Sequence, residues 1–152
     1  MRMSDNNKRI PDEEKRPGIA IKRVLVVDDD LETAVLLSLL LKRMGFDVIT
    51  ADNGPDGLGW CEKTAPDVVI LDLGMPGMDG LDMCRLIRTL PWGQDARVIA
   101  VTAYGDAADR MRTQQAGFDV HLVKPVNAED LSRAIGSPLG TRWTVPAGIV
   151  QR

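Results

Sequence analysis

Polar side chains that can take part in ionic chemistry follow directly after four short apolar runs of this chain. In chain order they are Asp28 with Asp29, Asp72, Thr102 and Lys124. If the runs are parallel strands of one sheet, their carboxyl ends share an edge, and three carboxylates, a hydroxyl and an ammonium converge there. Carboxylates this close need a cation, and Mg²⁺ prefers such oxygen ligands. A metal ion, a lysine and a hydroxyl together suit a phosphoryl group.

The apolar runs predict strands that are buried on both faces, as in a parallel sheet. A further strand near 47–51 alternates in polarity, which suits an edge position. The four runs are 24–27, 68–71, 98–101 and 120–123, and helices are predicted at 31–44, 55–64, 81–90, 107–116 and 128–135. Strict alternation of five strands and five helices predicts an α/β fold with a doubly wound parallel sheet.

Three of the predicted helices have features that can be predicted from single residues: two have a capping residue, one has a thin apolar face, and one is short. Asp30 is placed to cap the first helix, and Asn127 is placed to cap the last. The fourth helix has a thin apolar face, so we expect it to be held less firmly than the others. The last helix is short, because Gly136 and Pro138 end it.

Composition divides the chain into three parts. Residues 1–20 are mostly polar and contain two prolines, which predicts a flexible N-terminal tail. Residues 21–136 form the predicted domain. Residues 137–152 form a C-terminal tail in which no helical or strand period is recognisable. A chain of 152 residues has room for one domain with a proper core.

Charge, hydropathy and cysteine content exclude several classes of protein. The 19 Lys and Arg residues against 22 Asp and Glu give a net charge of −3, so we expect no direct binding of nucleic acid. The longest apolar stretch, 34–41, is too short to cross a bilayer, and no signal peptide is recognisable. We therefore expect a cytoplasmic protein without membrane insertion. Cys61 and Cys84 lack metal-binding spacing and are expected to fill the core.

The segments around these polar residues resemble the receiver domains of two-component response regulators. The resemblance covers roughly residues 22–135, and the segments that carry it are Val-Val-Asp-Asp-Asp (26–30), Ile-Leu-Asp-Leu-Gly-Met-Pro-Gly-Met-Asp-Gly (70–80), Val-Thr-Ala-Tyr (101–104) and Leu-Val-Lys-Pro (122–125). It implies a flavodoxin-like sheet with the strand order 2-1-3-4-5. It also implies a phosphorelay protein that switches its binding to partners.

The resemblance assigns a role to each carboxylate. Asp72 is the implied phosphoacceptor, which attacks the phosphorus of a phosphohistidine and forms an acyl phosphate. Asp29 is the implied direct ligand of Mg²⁺ or Mn²⁺, and Asp28 binds the ion mainly through water. The backbone carbonyl of Gly74 and Asp72 itself complete the implied metal ligands.

The resemblance also assigns roles to residues that contact or sense the phosphoryl group. Lys124 pairs with the phosphoryl oxygens, across a Lys124–Pro125 bond that we expect to be cis, and Thr102 moves to hydrogen-bond them. His121 stands where the family usually has an aromatic switch residue, and we hypothesise that it turns inward as Thr102 moves. Gly74 and Tyr104 occupy the positions that influence dephosphorylation, and together they predict slow self-dephosphorylation.

Because His121 is the single histidine of the chain and lies in a predicted strand, the phosphoryl donor must be another molecule. We expect a sensor histidine kinase or a histidine phosphotransfer protein as donor and a downstream protein as target. The receiver is either a stand-alone protein or a part of a hybrid histidine kinase, and it is a monomer or a weak homodimer. It catalyses only its own phosphorylation and dephosphorylation.

Two other classes of function remain open at this point. One is a receiver-shaped interaction module that works without phosphorylation. The other is a Mg²⁺-dependent phosphatase, which fits less well because such enzymes typically carry an acid-base aspartate two residues after the nucleophile, where this chain has Gly74. The completeness of the polar set favours the phosphorylated switch over the interaction module.

Overall fold

The computed structural model describes residues 22–103 and 105–136. The strands are β1 Arg23–Val27, β2 Asp47–Ala51, β3 Val68–Asp72, β4 Arg97–Thr102 and β5 Val120–Val123. The helices are α1 Leu31–Arg43, α2 Gly54–Thr64, α3 Gly80–Thr89, α4 Ala107–Ala116 and α5 Ala128–Gly136. Each element lies within one residue of its predicted bounds, and a 3-10 turn at Trp92–Gln94 was not predicted. No helix in this part of the chain is long and apolar enough to span a bilayer.

The five strands pair in parallel in the order β2-β1-β3-β4-β5. This is the predicted flavodoxin-like order, and it confirms the edge position of β2. The chain adds strands in one direction from β1 to β2 and in the other from β1 to β3. A crevice therefore opens between the carboxyl ends of β1 and β3, where folds of this kind bind ligands.

The sheet divides the apolar core into two layers, because successive strand residues face opposite sides. On one side, α1 and α5 pack against residues such as Val26 and Ile70. On the other side, α2 and α3 cover Val27 and bring Cys61 and Cys84 into the core. Both cysteines are free and buried, and burial raises the pKa of each thiol to about 12. They therefore stay protonated and pack as apolar residues, as predicted.

Helix α4 has few buried side chains, which confirms the thin apolar face predicted for it. Thr113 and Ala116 are its buried residues, while Met111 is 59% exposed. Its C-terminal end is fixed from α3, because the Arg88 guanidinium donates two hydrogen bonds to the carbonyl of Gly117, at 2.9 and 2.7 Å. The helix is thus anchored more firmly at its end than along its length.

The two predicted helix caps differ in outcome. Asn127 caps α5, since its side-chain oxygen accepts from the N–H of Asp130 at 2.7 Å. Asp30 occupies the N-cap position of α1, but its side chain accepts from the Thr33 hydroxyl at 2.6 Å and makes no cap bond to a backbone N–H. Its own N–H donates to Asp28 Oδ1 at 2.8 Å, which turns this loop toward the end of β1.

Candidate metal and phosphoryl site at the carboxyl edge of the sheet

Three carboxylates meet where the neighbouring strands β1 and β3 end. Asp72 is the last residue of β3, and Asp28 follows β1 directly. Both are buried, whereas Asp29 beside them is exposed. One oxygen of each carboxylate lies within 4.8 Å of the other two. The pairing of β1 with β3 thus brings together the three acidic residues that the sequence singled out.

Lys124 supplies a positive charge to this cluster. Its Nζ lies 3.1 Å from Asp28 Oδ2 and 3.5 Å from Asp72 Oδ1. The N–H of Lys124 donates to the carbonyl of Thr102 at 2.8 Å, which fixes its backbone beside the end of β4. The Lys124–Pro125 bond is cis, as expected. Thr102 is itself buried at the end of β4. All five predicted polar residues therefore lie at the same edge of the sheet.

Burial and mutual repulsion make the ionised cluster costly. Burial is the main cause that raises the pKa of Asp72, followed by the nearby Asp28 carboxylate. Desolvation and the neighbouring Asp72 raise the pKa of Asp29. Burial favours the neutral form of Lys124, but the two carboxylates that it contacts outweigh this effect and raise its pKa. One ammonium therefore does not offset three carboxylates.

The available oxygen atoms fit a hard divalent cation. Asp28 Oδ2 is buried and faces the Lys124 ammonium at 3.1 Å, which it shares with Asp72. Gly74 lies two residues after Asp72 and donates its N–H to Asp72 Oδ1 at 3.3 Å, so its backbone lies beside the cluster. Carboxylate and carbonyl oxygens are the ligands that Mg²⁺ and Mn²⁺ prefer. The residues present therefore fit the ion that the family resemblance implies.

Removing one of these charges should stabilise the metal-free protein. Because folding raises the pKa of Asp72, its ionised form destabilises the folded state at neutral pH, and this cost fades as the pH falls toward the usual value of 3.8. Asp72→Asn is therefore expected to raise the free energy of unfolding by about 1 kcal/mol at pH 7 and by much less near pH 4. Urea unfolding in EDTA measures both values. Equal or lower stability of the variant at pH 7 would contradict the charge argument.

Gly80 shapes the site, and the sequence analysis did not identify it. It is the first residue of α3, and a Cβ on it would lie 2.6 Å from the backbone carbonyl oxygen of Asp72. Only glycine lets this helix begin against the end of β3. The available signal was the pair Asp79-Gly80, in which Asp79 caps α3 by accepting from the N–H of Asp82 at 2.9 Å.

Three predicted positions remain, and two of them lie in the described part of the chain. Gly74 leaves open space beside Asp72, since a Cβ on it would meet no atom within 4 Å. Tyr104 falls outside the described residues. His121 is 2% exposed on β5, and its Nδ1 lies 3.2 Å from Oγ1 of Thr113, a residue that the sequence analysis did not identify. The inward turn of His121 upon activation stays a prediction.

Comparison with known proteins agrees with this geometry. A family model described as "Response regulator receiver domain" matches residues 24–136. The chain is 32% identical to the DNA-binding response regulator MtrA of Mycolicibacterium paratuberculosis over 126 residues, which are 83% of this chain and 55% of that protein. It is 38% identical to an uncharacterized 14.6 kDa protein of Leptolyngbya boryana, over 74% of this chain and 86% of that protein.

Solved structures show the same likeness. The chemotaxis protein CheY4 of Vibrio cholerae superposes with a TM-score of 0.73 at 28% identity, over 76% of this chain and 97% of that one. A receiver domain protein of Clostridium thermocellum gives 0.70 at 33% identity, over 76% and 91%. The chain spans only about half the length of MtrA. Since the family model covers most of the chain and the strand order agrees, this chain belongs to the receiver domain family of two-component response regulators.

Proposed function

We propose that this chain accepts a phosphoryl group on Asp72 from a phosphohistidine of another protein and thereby switches its binding to a downstream protein. One observation carries the proposal. In the crevice between β1 and β3, the Lys124 ammonium lies within 3.5 Å of both Asp28 and Asp72, beside a carboxylate cluster that its charge does not balance. A site that lacks positive charge is suited to a metal ion and, through it, to a phosphoryl group.

The metal ligands of the proposed site are oxygens at the ends of β1 and β3. We assign Mg²⁺ or Mn²⁺ to Asp28, Asp29, Asp72 and the backbone carbonyl of Gly74. The bound ion supplies neutralisation of the charge on the phosphoryl oxygens. Exposure of Asp29 beside two buried carboxylates supports this assignment, because it leaves one side of the cluster open to an entering ion.

The chain's own residues position the phosphoryl group. An Asp72 carboxylate oxygen attacks the phosphorus, and the bond from phosphorus to the donor's imidazole nitrogen breaks. Lys124 holds a phosphoryl oxygen, and Thr102 offers its hydroxyl from the end of β4. The donor histidine lies outside this chain, because His121 is the single histidine of the chain and is almost fully buried. The chain then acts only on its own phosphorylation and dephosphorylation.

The proposed switch occupies residues 21–136. The family match over residues 24–136 supports these bounds. The segments 1–20 and 137–152 flank the proposed unit and fall outside the described residues.

A chemical trap tests the proposal at the level of the residue. The full chain is incubated with Mg²⁺ and a small phosphodonor and then treated with borohydride, which reduces an acyl phosphate to an alcohol. We expect peptide mass mapping to find homoserine at position 72, and EDTA to prevent its formation. A chain that takes up no phosphoryl group would instead be an interaction module that works without phosphorylation. Reduction at another carboxylate would overturn the assignment of Asp72.

The partner that delivers the phosphoryl group is proposed to dock on α1. This helix begins two residues after Asp29, and Leu31, Val35 and Leu39 are 75%, 49% and 55% exposed. Their spacing of four residues places them along one side of the helix, so they form an apolar stripe that leads away from the site. Exposed apolar stripes of this kind mark surfaces that bind protein.

A charge placed in this stripe should separate docking from chemistry. Leu39→Glu is expected to slow transfer from a phosphorylated histidine kinase or phosphotransfer protein at least about tenfold, because a buried leucine contact contributes about 1.5 to 3 kcal/mol. The rate with a small phosphodonor should not change. Leu86→Glu is the matched control, since Leu86 is 43% exposed on α3 in the opposite layer. Equal loss with both donors would show damage to the site, and no loss with either would move the docking surface elsewhere.

A further inference from the structure

A buried polar contact joins α4 to β5. His121 is 2% exposed and Thr113 is fully buried, and Nδ1 of the imidazole lies 3.2 Å from the threonine Oγ1. His121 pairs in register with Ala100 of β4, while its strand neighbours Val120 and Leu122 belong to the core layer on the opposite face. The imidazole therefore lies on the face of the sheet that α4 covers.

The hydrogen bonds of Thr113 indicate which nitrogen of His121 carries the proton. The threonine hydroxyl donates to the backbone carbonyl of Arg110 at 2.9 Å. A hydroxyl has one proton, so toward the imidazole Oγ1 is an acceptor. This pattern assigns the proton of His121 to Nδ1, with the imidazole as the donor of the hydrogen bond to α4. This is the tautomer that is less common in free histidine.

Helix α4 depends on this contact more than a helix with an apolar face would. Thr113 and Ala116 are its buried residues, and Arg88 fixes the backbone just beyond its C-terminal end. Toward the N-terminus, Asp106 caps the helix and is exposed. The contact between Thr113 and His121 thus joins the body of the helix to the sheet through a buried hydrogen bond.

We propose that Thr113 is a positioning residue. Its hydrogen bond to His121 makes helix α4 move together with the imidazole when the phosphoryl site changes. This inference rests on the proposed function, since it takes the phosphoryl group at Asp72 as the source of the change. Lys124 and Thr102 are joined by a backbone hydrogen bond of 2.8 Å, and His121 lies three residues before that lysine on β5. A movement of Lys124 or Thr102 therefore displaces β5 and the imidazole of His121. The hydrogen bond to Thr113 then displaces α4 as well.

Because the chain has a single histidine, the hydrogen bond between Thr113 and His121 can be observed directly. In the full chain labelled with ¹⁵N, one imidazole gives all the histidine ring signals, and we expect them to report a proton on Nδ1. Thr113→Val keeps the volume of the side chain and removes the acceptor. It is expected to abolish the preference for Nδ1 and to speed amide exchange in the first turns of α4 about fivefold, the usual scale of one lost hydrogen bond. Thr113→Ser keeps the hydroxyl and should behave like the wild type.

Binding of beryllofluoride with Mg²⁺ then distinguishes a wrong role for Thr113 from a wrong proposed function. We expect a bound ¹⁹F signal in wild type and in Thr113→Val, together with a coupled shift of the imidazole and α4 amides in wild type alone. An equal shift of α4 in Thr113→Val, or a proton on Nε2 in the wild type, would overturn the role of Thr113 while leaving the phosphoryl site intact. If the wild type binds no beryllofluoride, the proposed function is wrong, and the inference about Thr113 is wrong with it.

Discussion

Replacing Asp72 with asparagine is expected to abolish formation of the acyl phosphate. The variant keeps the shape of the side chain and its place at the end of β3, but an amide is not a nucleophile toward phosphorus, so the label should fall at least about a hundredfold. The loss should occur together with the gain in stability described above, because both follow from the same carboxylate. A loss of label with unchanged or higher stability cannot be attributed to misfolding.

A phosphate-affinity gel measures this result after incubation with Mg²⁺ and a small phosphodonor. Asp95→Asn is the matched control, since Asp95 is exposed beside the turn at Trp92–Gln94 and lies outside the acidic cluster. It should be labelled like the wild type. A retarded band that persists in Asp72→Asn would mean that another side chain accepts the group. Turnover of many phosphorylated substrates by the wild type would instead support a phosphatase.

Replacing Lys124 with methionine is expected to have the opposite effect on stability and a large effect on rate. Methionine keeps the length of the side chain but removes the ammonium that lies 3.1 Å from Asp28 Oδ2. Because Asp28 is 2% exposed, loss of the ammonium leaves a buried carboxylate without its opposite charge, which costs about 3 kcal/mol. Loss of one group that stabilises charge in a transition state also slows phosphorylation about a hundredfold.

Urea unfolding in EDTA and in Mg²⁺ separates these effects. A divalent ion that binds the same carboxylates should restore part of the stability of Lys124→Met, by about 2.7 kcal/mol when the ion stands at a hundred times its dissociation constant. Phosphorylation should stay slow even in saturating Mg²⁺, because the ion does not replace the ammonium at the phosphoryl oxygen. Lys42→Met on the exposed side of α1 is the control. Unchanged stability of the Lys124 variant would show that the carboxylates are not charged in the metal-free protein.

The predictable part of the site depended on local sequence. Short apolar runs are stable only where both faces are covered, so the residue that ends each run had to lie at the carboxyl edge of a parallel sheet. This is why Asp72, Thr102 and Lys124 could be named before their geometry was known. The ends of the first two helices could also be predicted, because Gly45 and Pro66 are residues that end helices.

Other features depended on which surfaces pack together. The apolar residues of α1 lie on both sides of the helix, so the sequence could not say that Leu31 and Leu39 stay exposed while Leu37 enters the core. Gly80 matters only because α3 begins against the carbonyl of Asp72. Asp30 has the residue type and place of a cap, but the Thr33 hydroxyl satisfies its side chain instead.

By itself, the sequence determined the type and chain order of the elements and the chemistry gathered at one edge, because hydrophobic periodicity and strand ends are properties of short segments. The tertiary structure decided how the charges balance and where they connect to the rest of the protein. Lys124 contacts Asp28 as well as Asp72, and His121 meets Thr113. These are contacts between elements, and their distances are set by how helices seat on the sheet rather than by any spacing along the chain.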